Sequence, residues 1–142
     1  MYRESMREHW QSIDPVIYRE TMREQWESNA EGWHRWVPVV RTWVGHATGL
    51  MLDLAQVDAG GQVLDVAAGD GDMSLLAAER VGPTGFVLAT DIAPKLVALA
   101  SKAARARCLE NFDARVMDAE NLTVDDGTFD VVTCRLGLFF CS

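Results

Sequence analysis

The fold is decided by one stretch, Val63-Leu64-Asp65-Val66-Ala67-Ala68-Gly69-Asp70-Gly71-Asp72. Its first half is a short apolar run, which is typical of a buried strand, and its second half is a loop that contains two glycines. A helical pattern follows over residues 73–81 and ends at Gly82-Pro83. A strand that passes through a glycine loop into a helix predicts an α/β unit in which the loop backbone can approach a ligand closely.

The same order of elements repeats downstream. Strands are predicted at residues 86–89, 114–117 and 129–134, and a helix begins at Pro94 and runs to about Arg107. Because strands and helices alternate, we expect an α/β fold: a Rossmann-like doubly wound parallel sheet with about four strands, incomplete, preceded by N-terminal helices. Ligands of such sheets bind beyond the carboxyl ends of the strands, so the loops after those ends are the predicted site.

The N-terminal part carries an imperfect repeat, because residues 2–12 recur as residues 18–28. Each copy spaces Tyr, Met and Trp four residues apart, which places them on one side of a helix. Asp14 and Pro15 separate the copies and predict a helix start there. Two interpretations stay open: a two-helix cap over a pocket, or a local duplication in which only the second copy packs.

Residues 1–57 are therefore interpreted as a helical, Trp-rich cap region and residues 58–142 as the ligand-binding domain. Pro38 is expected to bend or restart the helix that carries Trp33 and Trp36. A further helix is predicted over residues 42–56. Its predicted apolar side consists of Val44, Leu50, Met51 and Leu54.

Composition excludes several classes of function. The 142 residues carry 13 basic and 21 acidic side chains, for a net charge of -8. This balance argues against a nucleic-acid or anionic membrane partner. No apolar run approaches the roughly 18 residues of a membrane helix. Three cysteines without metal-ligand spacing favour a reducing cytoplasm and no metal site.

The charges of the glycine loop bear on which nucleotide it binds. A dinucleotide site holds a pyrophosphate at a helix N-terminus, where Asp65, Asp70 and Asp72 would oppose it. Ser74 also stands at the third glycine of the dinucleotide fingerprint. Asp91, after the second strand, can accept the hydroxyls of a ribose. These features favour a cationic nucleoside such as S-adenosylmethionine, with a NAD- or other nucleotide-binding module as the alternative.

Four segments in order resemble the motifs of class I S-adenosylmethionine-dependent methyltransferases, and the similarity is to the ubiquinone/menaquinone-biosynthesis-like, or type 11, branch. They are residues 63–71, 88–92, 115–120 and 129–138. Three positions depart from the family pattern. Ala67 and Cys108 stand where the family usually has glycine, and Asp70 stands where a small or hydroxyl residue is common.

The resemblance implies S-adenosyl-L-methionine as cofactor and a small-molecule methyl acceptor. It assigns the methionyl part of the cofactor to Asp65 and to the backbone of Ala67, Ala68, Gly69, Asp70 and Gly71. It assigns the ribose to Asp91, and the adenine to Ile92, Asp118 and Ala119. It places Cys134 and Arg135 near the reactive methyl group. No catalytic base is identified.

Family members continue beyond the fourth strand, so we expect this chain to be the N-terminal, cofactor-binding part of a longer methyltransferase. The fourth strand would then be an exposed apolar edge prone to self-association. A non-catalytic partner subunit, completed by another chain, is the remaining alternative.

Overall fold

The structure is a computed structural model that describes residues 14–141. Within this range, four parallel strands form one sheet in the order β3-β2-β1-β4. The elements are listed in chain order: α1 Pro15–Leu54, β1 Gln62–Val66, α2 Asp72–Val81, β2 Phe86–Asp91, α3 Pro94–Ala106, β3 Phe112–Val116 and β4 Val131–Thr133. The predicted α/β fold with a Rossmann-like parallel sheet is confirmed.

The N-terminal helix differs from the prediction. α1 is one continuous helix of 40 residues, with Pro38 inside it, where separate helices were expected. Its predicted start is confirmed, because the side chain of Asp14 accepts a hydrogen bond of 2.8 Å from Val16 N and Pro15 takes the first helical position. The helix predicted over the first repeat copy lies outside the described residues.

The predicted apolar side of the last turns of α1 differs from the structure at two of its four residues, since Met51 packs against the core and Val44 is half-buried. Leu50 and Leu54 are exposed, whereas Thr48 and Leu52 are buried. The hydroxyl of Thr48 donates 2.8 Å to the carbonyl of Val44 within the helix, so this polar side chain can be buried at little cost.

The core fills both faces of the sheet. On one face, Leu52 of α1 and Met73 and Val81 of α2 pack against Val63 and Val87 of the two central strands. On the other face, the alternate strand residues contact the irregular segment between β3 and β4. They are Leu64, Val66 and Leu88. Since both faces are covered, the two central strands are apolar along most of their length, as is usual in parallel sheets.

Among residues 14–141, no helix is both long and apolar enough to cross a membrane.

Candidate functional site

A cleft opens at the carboxyl ends of the strands, where the sequence predicts the site. It encloses about 1070 Å³ between α1 and the loops after all four strands, part of it open to solvent. Ten of the twelve predicted site residues line it: Asp65, Ala67, Ala68, Gly69, Asp70, Asp91, Ile92, Asp118, Ala119 and Arg135.

Gly71 and Cys134 are not among the lining residues. Gly71 adopts a φ of +84° at the start of α2, and a Cβ there would lie 2.9 Å from the Cβ of Ala100. The absence of a Cβ at Gly71 therefore lets α2 and α3 approach each other. Cys134 packs against Leu64, Val66 and Leu88, on the sheet face opposite to α2, and burial raises the pKa of its thiol.

The loop after β1 is fixed by hydrogen bonds to the end of β2. Ala67 takes a φ of +53°, which glycine adopts more easily, and the next amide, Ala68 N, donates 2.9 Å to the carbonyl of Thr90. Gly69 N then donates 2.8 Å to Asp91 Oδ2. The loop and the carboxylate of Asp91 thus form one rigid unit on the cleft floor.

Asp91 has the environment of a ligand-binding carboxylate. It is buried, and its two oxygens accept hydrogen bonds from Gly69 N and, at 3.0 Å, from Ala93 N. Burial raises its pKa, and the backbone hydrogen bonds oppose that rise. A carboxylate oxygen can accept more than one hydrogen bond, so Asp91 can still accept from the hydroxyls of a ligand in the cleft.

Asp65 lies at the base of the same cleft and is completely buried. The hydroxyls of Ser74 and, at 2.9 Å, Thr133 donate to its carboxylate. Loss of hydration raises the pKa of Asp65 to about 6, although the two hydroxyls and the charge of Arg135 lower it. A cationic ligand above Asp65 would favour its ionised form.

The other two loop carboxylates are already paired. Asp70 Oδ2 lies 2.6 Å from His34 Nδ1. Asp72 accepts two hydrogen bonds from arginines: Oδ1 accepts from Arg41 Nε at 2.7 Å, and Oδ2 accepts from Arg135 Nη2 at 3.0 Å. The charge of Asp72 is therefore balanced by two guanidinium groups, and the negative charge of this loop and its surroundings that is available to a ligand comes mainly from Asp65, Asp70 and Asp91.

Asp72 also differs in its structural role. The helix α2 begins at Asp72 itself, and Gly71 is its N-cap. In the first turn, its carboxylate interacts favourably with the helix dipole. Its two arginine partners come from α1 and from the segment after β4, so Asp72 joins three parts of the chain.

An aromatic wall faces the glycine loop. Trp33 is in edge contact with Trp26, at 5.7 Å between ring centroids, and Trp26 with Phe140 at 5.1 Å. A Cβ on Gly69 would lie 3.2 Å from Trp33 Nε1, so the indole lies directly over the loop. The wall supplies apolar surface and excludes water from that part of the cleft.

Four lining residues that the sequence analysis did not assign to the site come from the second repeat copy. They are Tyr18, Arg19, Met22 and Trp26. The signal that could have found them is the four-residue spacing of Tyr, Met and Trp, which puts them on one side of α1. The described structure shows this copy packed over the cleft, and the first copy lies outside the described residues.

Comparison with known proteins assigns the family. The family model described as "Methyltransferase domain" matches residues 63–142. The chain belongs to this methyltransferase family. Its fold is that of class I S-adenosylmethionine-dependent methyltransferases, and its curated relatives are methyltransferases of the UbiE type.

Individual relatives agree with that assignment. The ubiquinone/menaquinone biosynthesis C-methyltransferase UbiE of Hydrogenovibrio crunogenus is 37% identical over 99 residues, which are 69% of this chain and 37% of the relative. The structure of the YcgJ protein from Bacillus subtilis is 34% identical, covering 64% of this chain and 38% of that one, with a TM-score of 0.57.

A putative S-adenosyl-L-methionine-dependent methyltransferase from Methanococcus maripaludis shares the fold. Its TM-score is 0.71 at 17% identity, over 82% of this chain and 52% of that one. The chain spans about a third of the length of the curated relatives it matches.

Proposed function

We propose that the cleft binds S-adenosylmethionine and that the chain contributes to methyl transfer onto a small-molecule acceptor. The observation that carries the proposal is Asp91, a buried carboxylate at the end of β2 that lines the cleft and fixes the glycine loop through Gly69 N. A ribose diol needs such an acceptor, and a sulfonium needs nearby negative charge; Arg135, which also lines the cleft, is paired with Asp72. The donor set therefore fits this cofactor.

The proposed contacts follow the cleft from end to end. Asp65 and the loop residues Ala67, Ala68, Gly69 and Asp70 would hold the methionyl part of the cofactor, with Gly71 behind them at the N-cap of α2. Asp91 would accept the ribose hydroxyls, Ile92 would pack on the adenine, and Asp118 with Ala119 would meet the adenine amino group. Cys134 and Arg135 remain assigned to the neighbourhood of the methyl group, with Arg135 lining the cleft and Cys134 behind it.

The cofactor would supply a methyl group on a positively charged sulfur, which is already an activated leaving group. The chain would then act mainly by positioning and by excluding water. The ion pairs of Asp72 with Arg41 and Arg135 hold α1 and the segment after β4 around the loop, and the aromatic wall closes one side. An acceptor that is methylated at a carbon or an oxygen must also release a proton.

The acceptor is proposed to be an apolar or aromatic small molecule. Trp26, Trp33 and Phe140 line the cleft in successive edge contacts, and this apolar aromatic surface suits a ring-containing ligand. The UbiE relatives are named for ubiquinone and menaquinone biosynthesis, which is consistent with a ring-containing acceptor.

The experiment is a calorimetric titration of S-adenosylhomocysteine into the D91N and D125N variants. Asp125 is an exposed turn residue, so D125N controls for the loss of one charge. We expect D125N to bind like the unaltered chain and D91N to bind at least tenfold more weakly. Equal affinity in both variants would refute the proposed ribose contact, and displacement of the ligand by NAD would favour a dinucleotide site.

We also propose self-association through β4. Among the described strands, β4 pairs with β1 alone; Val132 within β4 is 61% exposed, and Phe139 after it is 78% exposed. An apolar strand edge is prone to pair with another chain. Light scattering is expected to show association that V132K reduces.

We propose that the protein is located in the cytoplasm. The three free thiols, an odd number without metal-ligand spacing, support a reducing compartment.

A further inference from the structure

An ion-pair contact joins α1 to the turn after β3 at the adenine end of the cleft. Arg19 Nε lies 3.3 Å from Asp118 Oδ2, and Arg19 Nη2 lies 3.2 Å from Glu120 Oε2. The Nε atom is buried and makes no hydrogen bond within the described structure. A buried cationic nitrogen needs a compensating charge, and Asp118 supplies it.

The contact fixes the carboxylate of Asp118 from a second side. Asp118 Oδ1 already accepts a hydrogen bond of 2.9 Å from Glu120 N within the turn. With Arg19 against Oδ2, rotation of the carboxylate would break a contact at each oxygen. Each oxygen keeps a free lone pair, so the fixed group can accept one more hydrogen bond from the cleft.

We propose that Arg19 is a positioning residue for recognition of the adenine. It orients Asp118 toward the amino group of the base and holds the N-terminal turns of α1 over this end of the cleft. The inference rests on the proposed function, because it requires that an adenine occupies the cleft. It also gives the second repeat copy a specific role beyond packing.

The same helix supplies a matched control. Arg23 follows Arg19 by one turn, but its Nε donates 3.0 Å to Glu20 Oε2 on α1 itself. The two arginines have the same exposed fraction, 37% of the side chain. Only Arg19 reaches the turn after β3. R19Q and R23Q therefore remove the same charge from the same helix, and differ in the contact to Asp118.

The first measurement is the affinity of each variant for S-adenosylhomocysteine at low and at about 0.5 M salt. R19Q is expected to bind roughly three- to tenfold more weakly than the unaltered chain at low salt, with a smaller difference at high salt, because partly exposed ion pairs are screened. R23Q is expected to bind normally, and R19K to recover part of the loss. Equal affinities of R19Q and R23Q would overturn the proposal.

The second measurement separates orientation of Asp118 from general stability. S-inosylhomocysteine replaces the amino group of the base with a carbonyl oxygen, which a carboxylate disfavours. The unaltered chain should prefer the adenine ligand, and R19Q should lose most of that preference. If R19Q weakens both ligands by the same factor, Arg19 is merely structural and the proposal is wrong. If the unaltered chain binds neither ligand, the proposed function fails, and this inference with it.

Discussion

Four described residues other than glycine have the positive φ that favours glycine, namely Gln56, Ala67, Cys108 and Leu136, and two of them bear on the family resemblance. Ala67 has a φ of +53° and Cys108 a φ of +55°. Both are positions where the family resemblance leads us to expect glycine, and both have the left-handed backbone conformation. At Cys108 this conformation closes the end of α3, because Leu109 N donates 3.1 Å to the carbonyl of Ala104.

Replacing Cys108 with glycine should therefore stabilise the chain. C108G removes a Cβ from the left-handed region and is expected to raise the free energy of unfolding by about 1 kcal/mol. Chemical denaturation measures this, with C108A as the control, since alanine keeps the Cβ and should give no such gain. A glycine variant no more stable than the alanine variant would contradict the interpretation.

The buried carboxylate of Asp65 makes stability depend on pH. Burial raises its pKa from 3.8 to about 6 in the folded chain. Below about pH 4 both folded and unfolded states bind the proton, so there is no effect. Between about pH 4 and 6 the folded state retains the proton that the unfolded state releases. Stability from this group therefore falls as pH rises through that window and is constant above it.

D65N should remove this dependence. Relative to D65N, the unaltered chain is expected to lose up to about 3 kcal/mol of unfolding free energy between pH 4 and pH 7. Denaturation of both proteins at the two pH values measures the difference, and comparing them cancels the titration of all other groups. A difference that stays constant, or that grows in favour of the unaltered chain as pH rises, would show that folding does not raise the pKa of Asp65.

At the scale of elements, α1 shows how tertiary contacts override a local signal. Pro38 lacks the N–H that would bond to the carbonyl of His34, which favours a break. On either side of it, however, α1 is tied to the glycine loop, by His34 to Asp70 and by Arg41 to Asp72. These partners are 36 and 31 residues away along the chain, so no local pattern could reveal them.

Since α1 continues through Pro38, alanine should fit better there. P38A is expected to raise the free energy of unfolding by about 1–3 kcal/mol, because proline is the poorest residue in a helix interior. P94A is the control: Pro94 takes the first position of α3, where proline is favourable, and should give no gain. Loss of stability in P38A would mean that the proline geometry is needed to place His34 and Arg41.

The loops after β1 and β4 meet at a contact that leaves no room for a side chain. A Cβ on Gly137 would lie 2.4 Å from the Cβ of Ala67 and 2.9 Å from Cys134 Sγ. G137A should therefore separate the two loops, costing roughly 1–3 kcal/mol of stability and weakening ligand binding.

Gly45 gives the matched control for that substitution. A Cβ on Gly45 would meet nothing within 4 Å, and Gly45 lies inside α1. G45A is expected to stabilise the chain by up to about 1 kcal/mol, the opposite sign. Thermal unfolding of both variants tests the pair, and a destabilisation of equal size in each would contradict the close approach of the loops.

At the scale of the whole molecule, the sequence predicts what depends on local pattern. The strand–loop–helix order and the positions of Asp91 and Asp118 after their strands follow from periodicity and turn residues, and the structure brings both aspartates to one cleft. The sequence does not predict which helix face packs, as Leu50 and Leu54 show. Nor does it predict partners across the fold, such as Arg19 for Asp118.

The central claim is that the cleft at the strand ends binds the cofactor. Amide NMR of the labelled chain during titration with S-adenosylhomocysteine tests it most directly. We predict saturable shifts at Gly69, Ile92 and Ala119, which line the cleft, and none at Gly127, in a turn outside it. Shifts at Gly127 without shifts at Gly69 and Ile92, or no shifts at millimolar ligand, would contradict the claim.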